Sequence, residues 1–320
     1  MRLLTRAVTA LSAGVLSLPS FADARQSTWG ARELRDGHAG QVEGVAFSPD
    51  GKWLASADNS GRLVVRAVDD NAGQPRRLTG RNFTEVAWSA DGTAIVAGGF
   101  DSLVYVWRWM EGPTLRLLRY PGQVEAIAVT PSGVILAAGG GDRTILRWVF
   151  PELTELPPLR GHTDDVYTVK ASPDGRLLVS GGRDRTLRVW DAATGLEVHT
   201  LRGNNDSVYD VAFSPDGSWL ASACRDGTVS IWDLRAGRLL HLLRGPTNSV
   251  HGVAVSPNGS WIAAAGFDNQ VWLWRYPALG QGTALAGHRR KVSGVAFSPD
   301  GHWLASVASD TVVRVWQVPR

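Results

Sequence analysis

Four short apolar runs, separated by polar turn residues, make up a unit that recurs along the chain. One copy, residues 208–245, reads VYDVAFSPDGSWLASACRDGTVSIWDLRAGRLLHLLRG. Its runs are Val208–Phe213, Trp219–Cys224, Thr228–Asp233 and Arg238–Leu243. Each run is bounded by Gly, Asp or Pro, which is typical of β-strands. Asp-Gly pairs join the first three runs, because Gly tolerates the positive φ of a tight turn. The unit is therefore predicted to be a four-stranded antiparallel meander.

The unit repeats over almost the whole chain. The Gly that ends its first turn stands at positions 51, 92, 133, 175, 217, 259 and 301, so the units are 41 or 42 residues apart. One four-stranded sheet is marginal alone, whereas seven sheets packed face to face bury both faces of each sheet. The predicted repeats cover residues 37–78, 79–118, 119–159, 160–201, 202–243, 244–285 and 286–320.

Recurring motifs identify the unit. Gly-His occurs at Gly37-His38, Gly161-His162 and Gly287-His288, and Trp-Asp occurs at Trp190-Asp191 and Trp232-Asp233. Six units carry a turn Asp, at Asp101, Asp142, Asp184, Asp226, Asp268 and Asp310. A Trp follows each Asp by six residues, at Trp107, Trp148, Trp190, Trp232, Trp274 and Trp316. With these motifs the chain resembles the WD-repeat family, which implies an all-β, seven-bladed β-propeller of four-stranded antiparallel blades.

The two ends of the repeat region suit a closed ring. The last unit stops after its third run, at residues 317–320. Residues 28–36 ("TWGARELRD") precede the first Gly-His as an outer strand precedes the others. The resemblance implies that this N-terminal segment completes the last blade and closes the ring without a covalent bond.

Ser180, His162 and Asp184 are the residue types of a hydrolase triad. In the resembled family, however, such residues and a third-strand Trp form a structural hydrogen-bond chain inside one blade. The resemblance implies two complete chains, formed by His162, Ser180, Asp184 and Trp190 and by His288, Ser306, Asp310 and Trp316. We prefer this interpretation, because a buried indole N–H needs an acceptor and a hydroxyl both accepts and donates. No catalytic residue is predicted.

Blade one departs from this scheme. Ser60 stands where the turn Asp is expected, and Arg66 stands where the Trp is expected. His38 and Ser56 remain at their places. The hydrogen-bond chain of blade one is therefore predicted to be broken.

Residues 1–24 follow a different pattern. Two Arg precede an apolar run over residues 7–18, and Ala22-Asp23-Ala24 places small residues at a cleavage site. This favours a cleaved signal peptide over residues 1–24 and an exported, periplasmic bacterial protein, with a mitochondrial transit peptide as the alternative. The run is too short for a permanent membrane anchor, and none is predicted.

The charge and the cysteine and histidine content limit the kinds of ligand that the chain is expected to bind. The net charge is +3, and the only dense basic run is "RRK" at 289–291, so no nucleic-acid partner is expected. The single cysteine, Cys224, excludes an internal disulfide framework, a Cys-based zinc cluster and a C-x-x-C-H haem attachment. The Gly-His histidines lie in separate units, so no metal site is predicted. No cofactor is predicted either.

The resemblance also implies a binding face. In the family, partners are commonly contacted by the residue before the turn Asp and by those that open the first strand. The candidates at these positions are Phe100, Tyr167, Arg183, Tyr209, Arg225, His251 and Phe267. They are mostly of the types that dominate interface energies, and they concentrate in blades four to six.

Two functions fit these observations. The first is a non-enzymatic, monomeric protein-interaction scaffold in the periplasm, whose partner is a protein such as an envelope or redox protein. The second is a propeller that binds a small molecule or cofactor at its central channel, with or without catalysis. We prefer the first, because the repeat accounts for every candidate catalytic group.

Overall fold

The computed structural model describes residues 29–34, 37–69, 74–111 and 115–319. Every regular element in these ranges is a β-strand. The strands β1 to β28 are, in chain order, Ala31–Leu34, Val42–Phe47, Trp53–Asp58, Arg62–Ala67, Arg76–Thr79, Phe83–Trp88, Ile95–Gly99, Leu103–Trp107, Leu115–Arg119, Val124–Val129, Val134–Gly139, Thr144–Val149, Thr154–Arg160, Val166–Ala171, Leu177–Gly182, Leu187–Asp191, Glu197–Leu201, Val208–Phe213, Trp219–Cys224, Val229–Asp233, Arg238–Leu243, Val250–Val255, Trp261–Gly266, Val271–Arg275, Thr283–Leu285, Val292–Phe297, Trp303–Ala308 and Val313–Gln317. The described ranges contain no helix suited to crossing a membrane. The predicted signal peptide, residues 1–24, lies outside them.

The strands form seven four-stranded antiparallel sheets. Blade one is β2–β5, the next five blades follow in the same order up to β25, and blade seven is β26, β27, β28 and β1. The first strand of each blade contacts the first strands of both neighbours, and β2 contacts β26. The blades therefore close a ring around a central channel. The predicted seven-bladed propeller is confirmed.

The Ser-Pro-Asp-Gly turn shapes the first hairpin of a blade. In blade five the Ser214 hydroxyl donates to Asp216 Oδ1 at 2.6 Å, and the Gly217 amide donates to the Ser214 carbonyl at 2.9 Å. Gly217 has φ +69°, a conformation that other residues adopt at a cost. The turn that defines the repeat in the sequence is thus the turn that sets the register of the first two strands.

The N-terminal strand joins blade seven to both of its neighbours. Ala31 lies opposite Trp316 and Leu34 opposite Val313, in antiparallel register. Arg32 donates to the carbonyl of Val68 in blade one. On the other side, Trp29 packs edge-on against Trp261 of blade six, with ring centroids 5.5 Å apart. The closing segment lies where the sequence predicted it, with Ala31–Leu34 as the strand.

The core lies between the sheets. Seven buried clusters each join two neighbouring blades, including one between blades seven and one. The second strands contribute mostly small residues, as in Ala221 and Ala223. Four third-strand Trp fill the space between the sheets and are at most 2% exposed: Trp148, Trp190, Trp232 and Trp274. This packing makes the ring a rigid support for its two open ends.

Candidate functional site

A bulge at the start of every first strand builds the mouth of the channel. In each blade the register to the second strand skips one residue, which therefore has no partner in the ladder. These seven bulge residues are Glu43, Thr84, Glu125, Tyr167, Tyr209, His251 and Ser293. All seven line a cavity of about 1180 Å³ along the channel. Because a bulge redirects a side chain, the fold presents one variable residue per blade at the same rim. We call these residues the bulge ring.

Three of the bulge residues are aromatic, and they stack with one turn residue. The ring centroids of Tyr167 and Tyr209 are 5.4 Å apart at an angle of 42°. Tyr209 stacks on His251 at 4.1 Å and 26°, and His251 stacks on Phe267 at 3.5 Å and 8°. All four side chains are partly exposed. We call these four residues, which span blades four to six, the aromatic row.

The remaining predicted residues lie around the aromatic row. Arg225 is exposed on blade five, where its charge acts on Tyr209. Arg183 Nε lies 3.8 Å from a carboxylate oxygen of Asp164. Phe100 is 39% exposed on blade two and does not join the row. The structure thus brings four of the seven predicted residues into one row of ring contacts and places two Arg beside it.

Lys291 is a neighbour of the row that the sequence analysis did not select. Its Nζ lies 4.7 Å from the ring centroid of Phe267, within cation–π distance. Burial, with a contribution from Lys291, lowers the pKa of His251 to about 3. His251 is therefore an uncharged flat ring at neutral pH. Lys291 directly precedes the first strand of blade seven. This position, at the start of a first strand, is the feature of the sequence that could have identified Lys291 as a rim residue.

Carboxylates occupy the neighbouring part of the rim, and the charges of Asp165 and Glu125 act on Tyr167 at one end of the aromatic row. Burial, together with repulsion from Asp165 and Glu43, raises the pKa of Glu125 to about 7. Burial also raises the pKa of Glu43, although Gln41 donates to its carboxylate at 2.7 Å. The acidic part of the mouth, on blades one, three and four, therefore meets the aromatic row at Tyr167, and the rest of the row lies with Arg225 and Lys291 on blades five to seven.

Inside the channel, Lys170 links two carboxylates from other blades. Its Nζ lies 3.9 Å from Glu85 Oε1 and 3.7 Å from Asp210 Oδ1. Burial raises the pKa of Glu85 to about 7 against the attraction of Lys170. For Lys170 the two carboxylates outweigh burial and raise its pKa. The sequence analysis missed this network. Its signal is that Lys170 stands where the other six repeats have Ala.

The two predicted hydrogen-bond chains are continuous in the structure. In blade four the Trp190 indole donates to Ser180 Oγ at 2.9 Å, and Ser180 Oγ lies 2.8 Å from His162 Nε2. His162 Nδ1 lies 2.8 Å from Asp184 Oδ2. The proton order that satisfies every group runs from Trp through Ser and a neutral His to the carboxylate. Ser180 is fully buried, so no substrate carbonyl reaches its hydroxyl.

Blade seven repeats this arrangement. Trp316 donates to Ser306 Oγ at 2.9 Å, Ser306 Oγ lies 2.8 Å from His288 Nε2, and His288 Nδ1 lies 3.1 Å from Asp310 Oδ2. Hydrogen bonds hold the pKa of Asp184 well below its usual range despite burial. The same balance lowers the pKa of Asp310 to about 2.

The expectation of a broken chain in blade one is wrong. Asp58, two residues before Ser60, supplies the carboxylate, 2.9 Å from His38 Nδ1. His38 Nε2 lies 2.7 Å from Ser56 Oγ. Asp58 Oδ1 also accepts from the Ser60 amide and hydroxyl, as Asp184 does from Thr186. Only the indole is missing, because Arg66 stands in its place.

Blades without the histidine satisfy the turn Asp in other ways. In blade two the Tyr105 hydroxyl donates to Asp101 at 2.5 Å. In blade six the Trp272 indole donates to Asp268 at 3.0 Å. In blade three Tyr120, at the position of the histidine, donates to Asp142 at 3.1 Å. The carboxylate is a common anchor, while its donor varies.

The low pKa of Asp310 predicts a contribution to acid stability. The folded pKa is about 2 and the ordinary value is 3.8, so the contribution is full above about pH 4 and is lost as the pH falls towards 2. We expect the stability difference between the wild type and Asp310→Asn to shrink by about 1 kcal/mol between pH 5 and pH 3. Urea unfolding at both pH values measures it. The control is Glu152→Gln, which removes an exposed carboxylate. A difference that is constant with pH contradicts the prediction.

The cysteine and the histidines of the hydrogen-bond chains are not available for chemistry at the surface. Burial raises the pKa of the Cys224 thiol to about 11, and Cys224 is 1% exposed. Within the described residues, no three His, Cys, Asp or Glu side chains are arranged to hold a metal ion. The histidines of the hydrogen-bond chains are each committed to a Ser and an Asp.

Relatives of the chain include much longer proteins. Protein HIR1 of Phaeosphaeria nodorum is 33% identical over 119 residues, which cover 34% of this chain and 11% of that protein. The 66 kDa stress protein of Physarum polycephalum is 30% identical over 129 residues, which cover 38% of this chain and 21% of that protein. Protein hir1 of Schizosaccharomyces pombe is 28% identical over 131 residues, covering 35% and 14%. The chain therefore spans about a fifth or less of these relatives.

A family comparison covers most of the propeller. The sequence model of the WD40 family, described as "WD domain, G-beta repeat", matches residues 31–65, 75–108, 153–191, 195–233, 237–275 and 281–317. The unmatched stretch 109–152 contains the first three strands of blade three, which have the same topology as the others. The six matches, which cover more than half of the chain, and the seven closed blades show that it belongs to the WD40, or WD-repeat, family.

Proposed function

We propose that this chain is a non-enzymatic scaffold that binds a protein partner at the end of the propeller formed by the bulge ring. The aromatic row carries the proposal, because it places four partly exposed rings in contact at one rim. Such side chains dominate the binding energy of many protein interfaces. WD40 propellers generally bind protein partners, which supports the same function.

The proposed site of action is the periplasm, and the proposed partner is an envelope or redox protein. The support for this location is the signal-peptide pattern of residues 1–24. A non-enzymatic role is supported by the buried Ser180 hydroxyl, which is occupied by Trp190 and His162.

A second candidate function is the binding of a cationic small molecule in the channel. It is favoured by the cavity of about 1180 Å³ and by the raised pKa values of Glu43 and Glu125 at its mouth. A bound cation would favour the charged form of these carboxylates. Thermal unfolding with candidate ligands would reveal such binding through a higher melting temperature.

The scaffold function is tested by photo-crosslinking at the two ends of the propeller. Phe100 and Met110 are both exposed and apolar, and strand β8 separates them, so they lie at opposite ends. We expect a photoreactive phenylalanine at position 100, in cells producing the full chain, to label one discrete protein. The same residue at position 110 is expected to label nothing specific. Mass spectrometry of the adducts provides the readout.

Labelling at position 110 is the control that tells which end of the propeller binds the partner. Specific labelling at position 110 alone would place the partner at the other end and contradict the proposed face. Labelling at neither position, combined with a ligand-induced rise in melting temperature, would favour the channel function instead.

A further inference from the structure

The stacking order leaves mainly ring edges of the aromatic row open to a partner. His251 has Tyr209 on one face and Phe267 on the other, since two neighbours at 4.1 and 3.5 Å cannot share one face. Lys291 covers the outer face of Phe267 for the same reason. Aromatic edges carry partial positive charge. The row therefore attracts carboxylates and the faces of other aromatic rings.

Two basic side chains that form no ion pair with any described residue reinforce the preference of the row for carboxylates. Within the described ranges, neither Arg225 nor Lys291 forms an ion pair, whereas Arg183 lies close to Asp164 and Asp165. Arg225 borders the row on blade five, and Lys291 ends it on blade seven. The two positive charges thus lie at different points of the row, with Arg225 near Tyr209 and Lys291 over the outer face of Phe267. Asp268, next to Phe267, is occupied by the Thr247 amide and the Trp272 indole.

The carboxylates of the rim limit where an acidic ligand can bind. Glu43, Glu125 and Asp165 are close enough to raise the pKa of Glu125 by mutual repulsion. A second group of carboxylates brought to this part would be repelled in the same way. An acidic ligand is therefore disfavoured beside Glu43, Glu125 and Asp165 and favoured beside Arg225 and Lys291.

We propose that the aromatic row, with Arg225 and Lys291, binds an acidic segment of the partner in which carboxylates flank an aromatic side chain. The carboxylates pair with the two cations, and the partner's ring places its face against the ring edges of the row. This inference rests on the proposed function, because it names the chemistry of the partner at the same face.

Synthetic peptides test the inference without knowledge of the partner. The probe is a capped heptapeptide, Gly-Glu-Glu-Phe-Glu-Glu-Gly, and its matched controls carry Lys for Glu or Ala for Phe. We expect fluorescence anisotropy to show binding of the acidic aromatic peptide, which weakens as salt is raised. The Arg225→Glu/Lys291→Glu variant is expected to bind it about tenfold or more weakly. Binding of the Lys peptide with equal affinity would overturn the inference.

A charge-matched variant excludes a general charge effect. Lys52→Glu/Arg176→Glu removes one Lys and one Arg that are exposed after first turns, at the other end of the blades. It is expected to bind the acidic peptide like the wild type, and equal losses in both variants would overturn the inference. If position 100 still labels a partner while the acidic peptide does not bind, the inference fails and the scaffold function stands. Loss of labelling at position 100 is the separate failure of the scaffold function.

Discussion

Removal of residues 25–36 is expected to lower the melting temperature of the propeller by about 10 °C. The truncation deletes strand β1, which leaves the edge of β28 unpaired. It also removes the Trp29 contact to blade six and the Arg32 contact to blade one. The partial burial of Trp29 and Leu34 and the pairing of Ala31–Leu34 with β28 are together worth about 4 kcal/mol. A protein of this size loses roughly 2–4 °C per kcal/mol. Differential scanning calorimetry of residues 25–320 and of residues 37–320 measures the shift.

Complementation provides the control for this prediction. A synthetic peptide of residues 28–36, added in excess to the truncated chain, is expected to restore part of the lost melting temperature. A peptide of the same composition in reversed order is expected to restore none. A melting curve that is unchanged by the truncation would refute the contribution of the closing strand.

The architecture could be predicted because its signals are local and repeated. The Asp-Gly turns fix positive φ at one residue, and Gly217 shows this in the structure. Short apolar runs between such turns leave little choice other than strands. Blade three illustrates the point: it lacks the histidine and lies in the stretch that the family comparison does not match, yet it forms the same sheet.

The candidate site was only partly predictable. The repeat phase identified the bulge-ring positions, but a bulge is a property of the register between two strands, and the sequence does not state it. The stacking of His251 on Phe267 depends on side-chain directions at a strand start and a turn. The prediction of a broken hydrogen-bond chain in blade one was wrong for a similar reason. Asp58 contacts His38 from a position that other blades fill with smaller residues.

The Lys170 network was missed for a different reason. Glu85, Lys170 and Asp210 come from blades two, four and five and meet only when the ring closes. Each of them lies in an ordinary first strand, so the sequence of one repeat alone does not reveal the contact. Comparison of the seven units at one position, where six have Ala, would have singled out Lys170.

Ser180→Ala is expected to destabilise the propeller by about 3 kcal/mol. The substitution removes one buried hydroxyl and leaves two buried groups, the Trp190 N–H and His162 Nε2, without their partner. Each buried polar group without a hydrogen bond costs about 1–3 kcal/mol. Urea unfolding at pH 7 measures the change in the free energy of unfolding. Ser222→Ala in blade five is the matched control: Asn204 replaces the histidine there, and only Trp232 loses a partner.

A double-mutant cycle separates the hydrogen-bond chain from simple packing. Trp190→Phe removes the indole N–H, so Ser180→Ala then leaves only His162 unsatisfied. We expect Ser180→Ala to cost about 1 kcal/mol less in the Trp190→Phe background than in the wild type. Equal costs in the two backgrounds, or a cost for Ser222→Ala as large as that for Ser180→Ala, would mean that the hydroxyl acts by filling space. The expected coupling instead makes the Trp–Ser–His–Asp chain a cooperative unit that ties the strands of blade four together.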